Sequence, residues 1–455
     1  MRPEKQNLRV AIALMLLFCS FMGLFGGCAQ QSTPADSAMQ TTAPTTVPEP
    51  TETEPEPTEA PTEPLPPVLT TATFTVTGDL LMHAPVIKSS ADGDSWNFKP
   101  IFRYIQGYLE AADYAVANLE TTLCGSENGY PYQGWPKFNC PDNIASDTLA
   151  VGFDMLLTVN NHCYDTRIEG INRTLDVLAD AGIASLGTRH TTANPDCTVV
   201  EVNGIKVGLT AFTYEGDDGN PNTININGVP TDPATHGMIN SFDYAALDKF
   251  YARLENQIAV MREQGAEAIV VFLHWGTEYS RRPNEYQRTI AQTLCNMGVD
   301  VIVGGHPHVI QPVDLLTSTT DPAHTMLCIY STGNAVSNQR KGYLEEISTA
   351  HTEDGILFTF TFAKYSDGTV AVQSASAIPT WVNMTSKPRE FIIIPLVESE
   401  MDNWQELFSL TKGAYNSCKS SFERTMELVG EGMKKAQTYY AATDAAKQAT
   451  LEAEN

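Results

Sequence analysis

Two histidines bracket a proline directly after a pair of glycines in Gly304-Gly305-His306-Pro307-His308. The glycines and the proline fix backbone directions that a surface loop does not require, so both imidazoles are set at one exposed strand end. Four further clusters carry related groups. Gly78-Asp79 precedes His83, Glu120 closes the apolar run 114–119, Asn160-Asn161-His162 closes 153–159, and His274-Trp275-Gly276 closes 268–273. Each alone has an ordinary structural explanation: a turn aspartate, a strand exit, an Asx-turn or helix cap, a buried aromatic corner. Together they supply hard-to-borderline oxygen and nitrogen donors, suited to Mn, Fe or Zn rather than to thiolate chemistry. Two such ions about 3.5–4 Å apart can bridge a hydroxide nucleophile and clamp the oxygens of a displaced phosphate. An acid would bridge the ions, and a histidine outside the ligand set would donate a proton.

These clusters sit where strands are expected to end. Across 72–380, β-branched runs alternate with helix-period segments. Strands are predicted at 73–77, 114–118, 153–159, 199–202, 206–212, 268–273, 299–303, 326–331, 356–363 and 370–378. Helices are predicted at 100–111, 168–181, 244–264 and 285–297, with Gly182 as a C-cap. Asn203-Gly204 between two strands is a type I′ hairpin signal. The alternation predicts an α/β core whose inner strands are largely parallel and deliver their polar ends to one rim. Residues 402–455 are helix-prone and polar.

The 455 residues carry 28 Lys+Arg against 54 Asp+Glu, a formal charge of −26, with 42% hydrophobic residues. The apolar share is ample for a sizeable core. The acidity excludes nucleic acid as a partner, since phosphate backbones need clustered cations. Arg2, Lys5 and Arg9 precede an uncharged run from Val10 to Phe25, which reads as an export signal and is short for a membrane span. It ends in Leu24-Phe25-Gly26-Gly27-Cys28, which resembles a bacterial lipobox, with Cys28 as the lipidated residue. An uncleaved signal anchor is the alternative, and either places the remainder outside the cytoplasm. Residues 29–70 are rich in Pro, Thr and Glu, and from 29 to 67 hold seven acids and no base. Such a disordered stalk could reach on the order of 100 Å if extended. The cysteines show no CxxC spacing, so no zinc ribbon is indicated, although Cys124 and Cys140 flank one loop and could pair.

The ordered segments TGDLLMH (77–83), ANLETTL (117–123), VNNHCYD (159–165), LHWGTEY (273–279), GGHPHVIQ (304–311) and YSTGNAVSNQ (330–339) resemble the CapA family of capsule-synthesis or poly-γ-glutamate biosynthesis proteins. The resemblance implies a four-layered α/β/β/α metallophosphatase-like sandwich over 71–385, with the signal at 1–28 and a strand and helical extension at 386–455. By position it implies Asp79, Glu120, Asn161, His274, His306 and His308 as metal ligands and His162 as the proton donor. His83, Asn118, Asn160, Glu278, Tyr279, Gln311 and Asn334 would line or brace the pocket. Against the metallophosphatase pattern, His83 stands four residues after Asp79 rather than two, the bridging acid is a glutamate, and Ala335 and Ser337 replace an expected Phe and Asp. The implied protein is a lipid-anchored, cell-surface participant in capsule or poly-γ-glutamate synthesis or export, with two divalent ions acting on an anionic polymer or phosphate ester. Other capsule-synthesis membrane proteins are expected partners. Two alternatives keep the fold: a non-catalytic polymer-binding assembly factor, and a surface metallophosphatase.

Overall fold

The computed structural model describes residues 67–216 and 223–453. The leader, Cys28 and the spacer up to residue 66 lie outside the described residues.

The chain first lays down parallel strands β1 (Val68–Leu81), β2 (Tyr114–Glu120), β3 (Met155–Leu157) and β4 (Ala184–Leu186). The connections carry helices α1 (Asn143–Ala150) and α2 (Arg167–Ala181), the latter ending at Gly182 with φ 80° as a left-handed cap. The expected helix over 100–111 is two short pieces, Lys99–Phe102 and Gln106–Glu110. Between them the Ile105 N–H donates to Phe102 O at 2.9 Å, a tighter three-residue turn.

The chain then crosses to a second sheet. Strands β5 (Thr198–Val202) and β6 (Ile205–Tyr214) form the expected hairpin, with Asn203 and Gly204 at φ 51° and 79°. Strands β7 (Ser241–Phe242), β8 (Ala268–His274), β9 (Val301–Gly305), β10 (Val313–Thr317) and β11 (Thr325–Ile329) complete it. Its order is β7-β6-β8-β9-β11-β10, parallel from β7 to β11, with β10 antiparallel at the edge. Helices α3 (Leu247–Glu263) and α4 (Glu285–Asn296) cover its outer face.

From Asn334 the chain returns to the first sheet with β12 (Asn334–Val336), β13 (Asp354–Tyr365), β14 (Val370–Met384) and β15 (Phe391–Pro395). That sheet has eight strands in the order β15-β14-β13-β1-β2-β3-β4, with β12 also pairing to β1. The layers follow from the side chains. Phe74 and Phe360, ring-stacked at 5.5 Å, face Val207, Val270 and Val303 across the inter-sheet core. A second apolar cluster lies between the first sheet and the helices of its outer face. The result is helix, sheet, sheet, helix. Each fully buried Phe or Val contributes about 1.5–3 kcal/mol relative to exposure.

Helix α5 (Lys412–Ala453) lies along one side of the sandwich, touching both β14 and β10. Its Val429, Met433 and Tyr440 enter the inter-sheet core, and Phe422 and Cys418 pack on Trp381 and Trp404. Arg424 and Ser421 on α5 hold the buried Asp354 carboxylate at the start of β13. Gly432 sits so near β10 that a Cβ would come 1.7 Å from Val313 O, whereas at Gly430 the nearest atom would be Met426 Cε at 3.8 Å.

A paired substitution tests this docking. Gly430→Ala should raise the thermal midpoint, since alanine gains up to ~1 kcal/mol of helix propensity. Gly432→Ala should lower it, at a stability cost on the order of 1–3 kcal/mol despite the same gain, because helix and strand must separate. Circular-dichroism melts showing equal shifts for both would contradict this packing.

Candidate metal centre

Strand register assembles the site. Asp79 on β1 lies beside Asn118 on β2 and beside Asn334 on β12, Leu81 is paired with Glu120, and His274 on β8 lies beside Gly305 on β9. The carboxyl ends of β1, β2, β8 and β9 thus meet where the two sheets face each other. Only glycine fits at the meeting point: a Cβ on Gly304 would come 2.0 Å from Tyr330 O, and one on Gly305 would come 2.9 Å from Asp79 Oδ1. The backbone past this point is strained. His306, His308 and Tyr279 have φ of 94°, 56° and 62°, in the left-handed region that non-glycine residues rarely occupy. The Tyr279 N–H donates to Pro307 O at 2.8 Å and ties the two loops together. Such outliers persist where surrounding structure holds them, and they concentrate at functional sites.

Asp79, Glu120 and His274 each place a ligand atom within 4.8 Å of the others, and all three are buried. Glu120 is completely buried, and neither carboxylate oxygen has a hydrogen-bond partner. Its nearest imidazole nitrogens are His274 Nε2 at 3.6 Å and His308 Nε2 at 3.8 Å. Burial, then the Asp79 charge, pushes the Glu120 carboxyl well above the usual range. His274 Nε2 also donates to Asn161 Oδ1 at 2.9 Å. His308 Nδ1 donates to Asn334 Oδ1 at 3.1 Å and lies 3.4 Å from Asp79 Oδ2, which orients Nε2 toward Glu120. The His306 ring packs on His274 at 4.9 Å and on Tyr214 at 4.7 Å, and its Nδ1 is buried without a partner.

The electrostatics ask for a cation. Burial, then neighbouring histidines, lowers the pKa of His274 and His306 well below the ordinary value, so both are neutral imidazoles. Burial would lower His308 too, yet Glu120 and Asp79 together hold it up to about 9 in the metal-free protein. Two buried carboxylates, one of them orphaned, with neutral imidazoles and an amide oxygen form a donor set that fits a divalent ion of the Mn, Fe or Zn type.

The surrounding residues hold these donors. Asn118 Nδ2 donates to Asp79 Oδ1 at 2.8 Å, Asn160 Nδ2 donates to Asn118 Oδ1 at 3.0 Å, and the His162 N–H donates to Asn160 Oδ1 at 3.0 Å. Asn334 Nδ2 donates to Gln339 Oε1 and to Thr352 O, both at 3.0 Å. Gln311 accepts from Gln287 Nε2 at 2.8 Å and donates to Ser280 O at 2.8 Å, so it braces the 275–284 loop from within. Glu278 and Tyr279 on that loop reach the cavity beside the cluster. His83 lines the same cavity, with Nδ1 accepting from the Asn338 N–H at 3.2 Å. Burial first, then His308, lowers its pKa to about 3.

His162 stands at the cavity wall with its ring against Phe138, 4.5 Å between centroids. Its Nδ1 is 2.8 Å from Asp165 Oδ2, which also accepts from the Phe138 N–H at 2.6 Å. Asp165 was not singled out above, although its three-residue spacing from His162 was the available signal, since a tight turn folds the two together. Cys124 and Cys140 do not pair. Both are buried free thiols, with Cys124 N–H on Asn139 Oδ1 and Cys140 N–H on Thr122 O. Among the described residues no helix is long and apolar enough to cross a membrane.

Glu120→Gln separates the cost of this site from its use. A carboxyl whose folded pKa is raised favours the native state at low pH and loses that contribution as pH rises above the ordinary carboxylate range. At pH 8 in chelator, Glu120→Gln should therefore melt above the wild type. Added Mn or Zn should stabilise the wild type by about 2.7 kcal/mol at a hundredfold excess over Kd and leave the variant nearly unmoved. A variant that melts lower in chelator and still responds to metal would contradict the assignment.

The family described as bacterial capsule synthesis protein PGA_cap matches residues 73–339. The PGA biosynthesis protein CapA of Bacillus subtilis (strain 168) is 26% identical over 340 residues, 72% of this chain and 78% of that protein. The capsule biosynthesis protein CapA of Bacillus anthracis is 26% identical over 273 residues, 59% of this chain and 60% of that one. Among solved structures, the calcineurin-like phosphoesterase YfkN of Bacillus subtilis is similar at 15% identity and a TM-score of 0.39, over 68% of this chain and 90% of that one. With the family match running from β1 through the last site motif, this chain belongs to the bacterial capsule synthesis protein family PGA_cap.

Proposed function

We propose that this chain is a divalent-metal-dependent phosphoester hydrolase of capsule or poly-γ-glutamate assembly, held at the cell surface through a lipid on Cys28. The observation that carries the enzymatic part is the Glu120 carboxylate, completely buried beside Asp79 with both oxygens unpartnered. A protein has little reason to keep such a charge unless a cation completes it. Asp79, Glu120, Asn161, His274, His306 and His308 would hold two ions, of Mn, Fe or Zn. When bound, such ions polarise phosphoryl oxygens and acidify water. The chain's own residues do the rest. The amides of Asn118 and Asn160 fix Asp79 and the turn carrying His162 in one frame. Asp165 holds His162 Nδ1, which leaves Nε2 to give a proton to a departing oxygen. Phe138 against the ring restricts its rotation and keeps water from that face.

A second reading has its own observation. A cavity of about 970 Å³ opens beside His306, with Lys249, Arg253, Tyr214 and Tyr286 among its walls. It is larger than a simple phosphate ester needs, and it sets Lys249 and Arg253 among Glu215, Asp243 and Glu278, a mixed lining that suits an anionic polymer carrying its own cations, as an assembly factor without catalysis would use. Capsule association of the CapA relatives fits either reading.

Turnover and metal content measured on the same samples distinguish them. Metal-loaded protein should hydrolyse a chromogenic phosphoester. His162→Ala should lower kcat by about 10²–10⁴-fold while metal content stays nearly unchanged. Equal loss of both would overturn the role given to His162. Full capsule assembly by the His162→Ala variant in cells would favour the scaffold.

A further inference from the structure

The cavity that His162 faces has a composition of its own. It measures about 230 Å³, below the ~300–1,000 Å³ of pockets for drug-sized ligands, and has room for about one ring. Among the described residues no Lys or Arg lines it, and its one charged wall residue besides the histidines is Glu278. Its wall therefore offers no ammonium or guanidinium group to a charged ring substituent. At the rim stand three large apolar side chains turned to solvent: Trp135, 76% exposed, Tyr343, 52%, and Leu344, 53%. They come from two loops far apart in sequence, and they account for three of the few large exposed hydrophobics of the described chain. Apolar side chains gathered at the mouth of a polar cavity mark a ligand surface. Deeper in, Asn338 Oδ1 is buried with no hydrogen-bond partner, an acceptor awaiting a donor. Asn227 lines the same cavity, its amide nitrogen 3.5 Å from His162 Nδ1.

From this combination we infer that the cavity receives a neutral, hydroxyl-bearing saccharide ring, the part of a phosphoester substrate that departs toward His162. One face of a pyranose presents C–H groups, which suit Trp135 and Tyr343, and its edge carries hydroxyl donors, which suit Asn338 Oδ1. The inference rests on the hydrolase reading for its direction. Hydrolysis breaks the bond from phosphorus to the saccharide oxygen and forms one from phosphorus to the oxygen of water. His162 supplies the proton to the departing oxygen and is reprotonated from the water consumed, so a free saccharide and a phosphate result.

The test compares α-D-glucose 1-phosphate with ethyl phosphate, which has the same charge and no ring, on metal-loaded full-length protein. The wild type should favour the sugar phosphate at least ~10-fold in kcat/KM. Trp135→Ala, at an exposed position, should raise KM for the sugar phosphate about tenfold and leave ethyl phosphate unchanged. Equal treatment of the two esters, indifference to Trp135→Ala, or preference for adenosine 5′-monophosphate would overturn the inference. If neither ester is hydrolysed, the hydrolase reading fails by itself. Isothermal titration with methyl α-D-glucopyranoside then decides the subsite without chemistry: binding lost in Trp135→Ala supports it, and no binding to wild type overturns it.

Discussion

One buried carboxylate sets the terms for the rest of this structure. Glu120 ends a strand that is buried from Ala115 onward and apolar there except for Asn118, and it stands where the two sheets meet, beside Asp79. Neither of its oxygens is satisfied. Two carboxylates in so dry a place repel each other, and their mutual repulsion would be lowest with the cluster protonated or filled by cations. The fold accepts this cost through a large amount of apolar burial elsewhere, with separate clusters between the sheets and outside each of them. Stability at the centre is exchanged for a buried carboxylate that the protein itself leaves unpartnered.

The same constraint explains the backbone. Holding His306 and His308 around Pro307 in left-handed conformations requires anchors, and these come from Gly304, from the Tyr279 N–H on Pro307 O, and from Gln311 under the neighbouring loop. The bracing continues outward. Arg281, on the loop that carries Glu278 and Tyr279, donates to Arg424 O on α5, and Arg424 in turn holds Asp354. The long C-terminal helix therefore touches the site through two links, although it supplies no ligand. A family match ending at residue 339 leaves β13, β14, β15 and α5 outside it, yet β13 is the direct antiparallel neighbour of β1.

Much of this was legible in the residues. Strand ends at Asp79, Glu120, Asn161, His274 and His306 could be read because apolar runs stop abruptly at polar groups, and the fold brings the ends carrying Asp79, Glu120 and His274 together. The Asn203-Gly204 hairpin and the Gly182 cap were legible because each depends on local backbone chemistry alone. Other features depend on long-range contacts and were not. β10 is a five-residue edge strand following a proline, and β4 has three residues, both too short to show a period. The unpartnered state of Glu120 and of Asn338 Oδ1 has no trace in sequence, since it is a property of what surrounds them. The rim of Trp135 and Tyr343 is likewise a meeting of two distant loops.

Elemental metal analysis tests the central claim most directly. The full chain, solubilised in detergent and purified without chelator or histidine tag, should carry about two equivalents of Mn, Fe or Zn, and His306→Ala should carry fewer. Protein that remains metal-free after reconstitution with each of these ions would contradict the account, and the buried carboxylates would need another explanation.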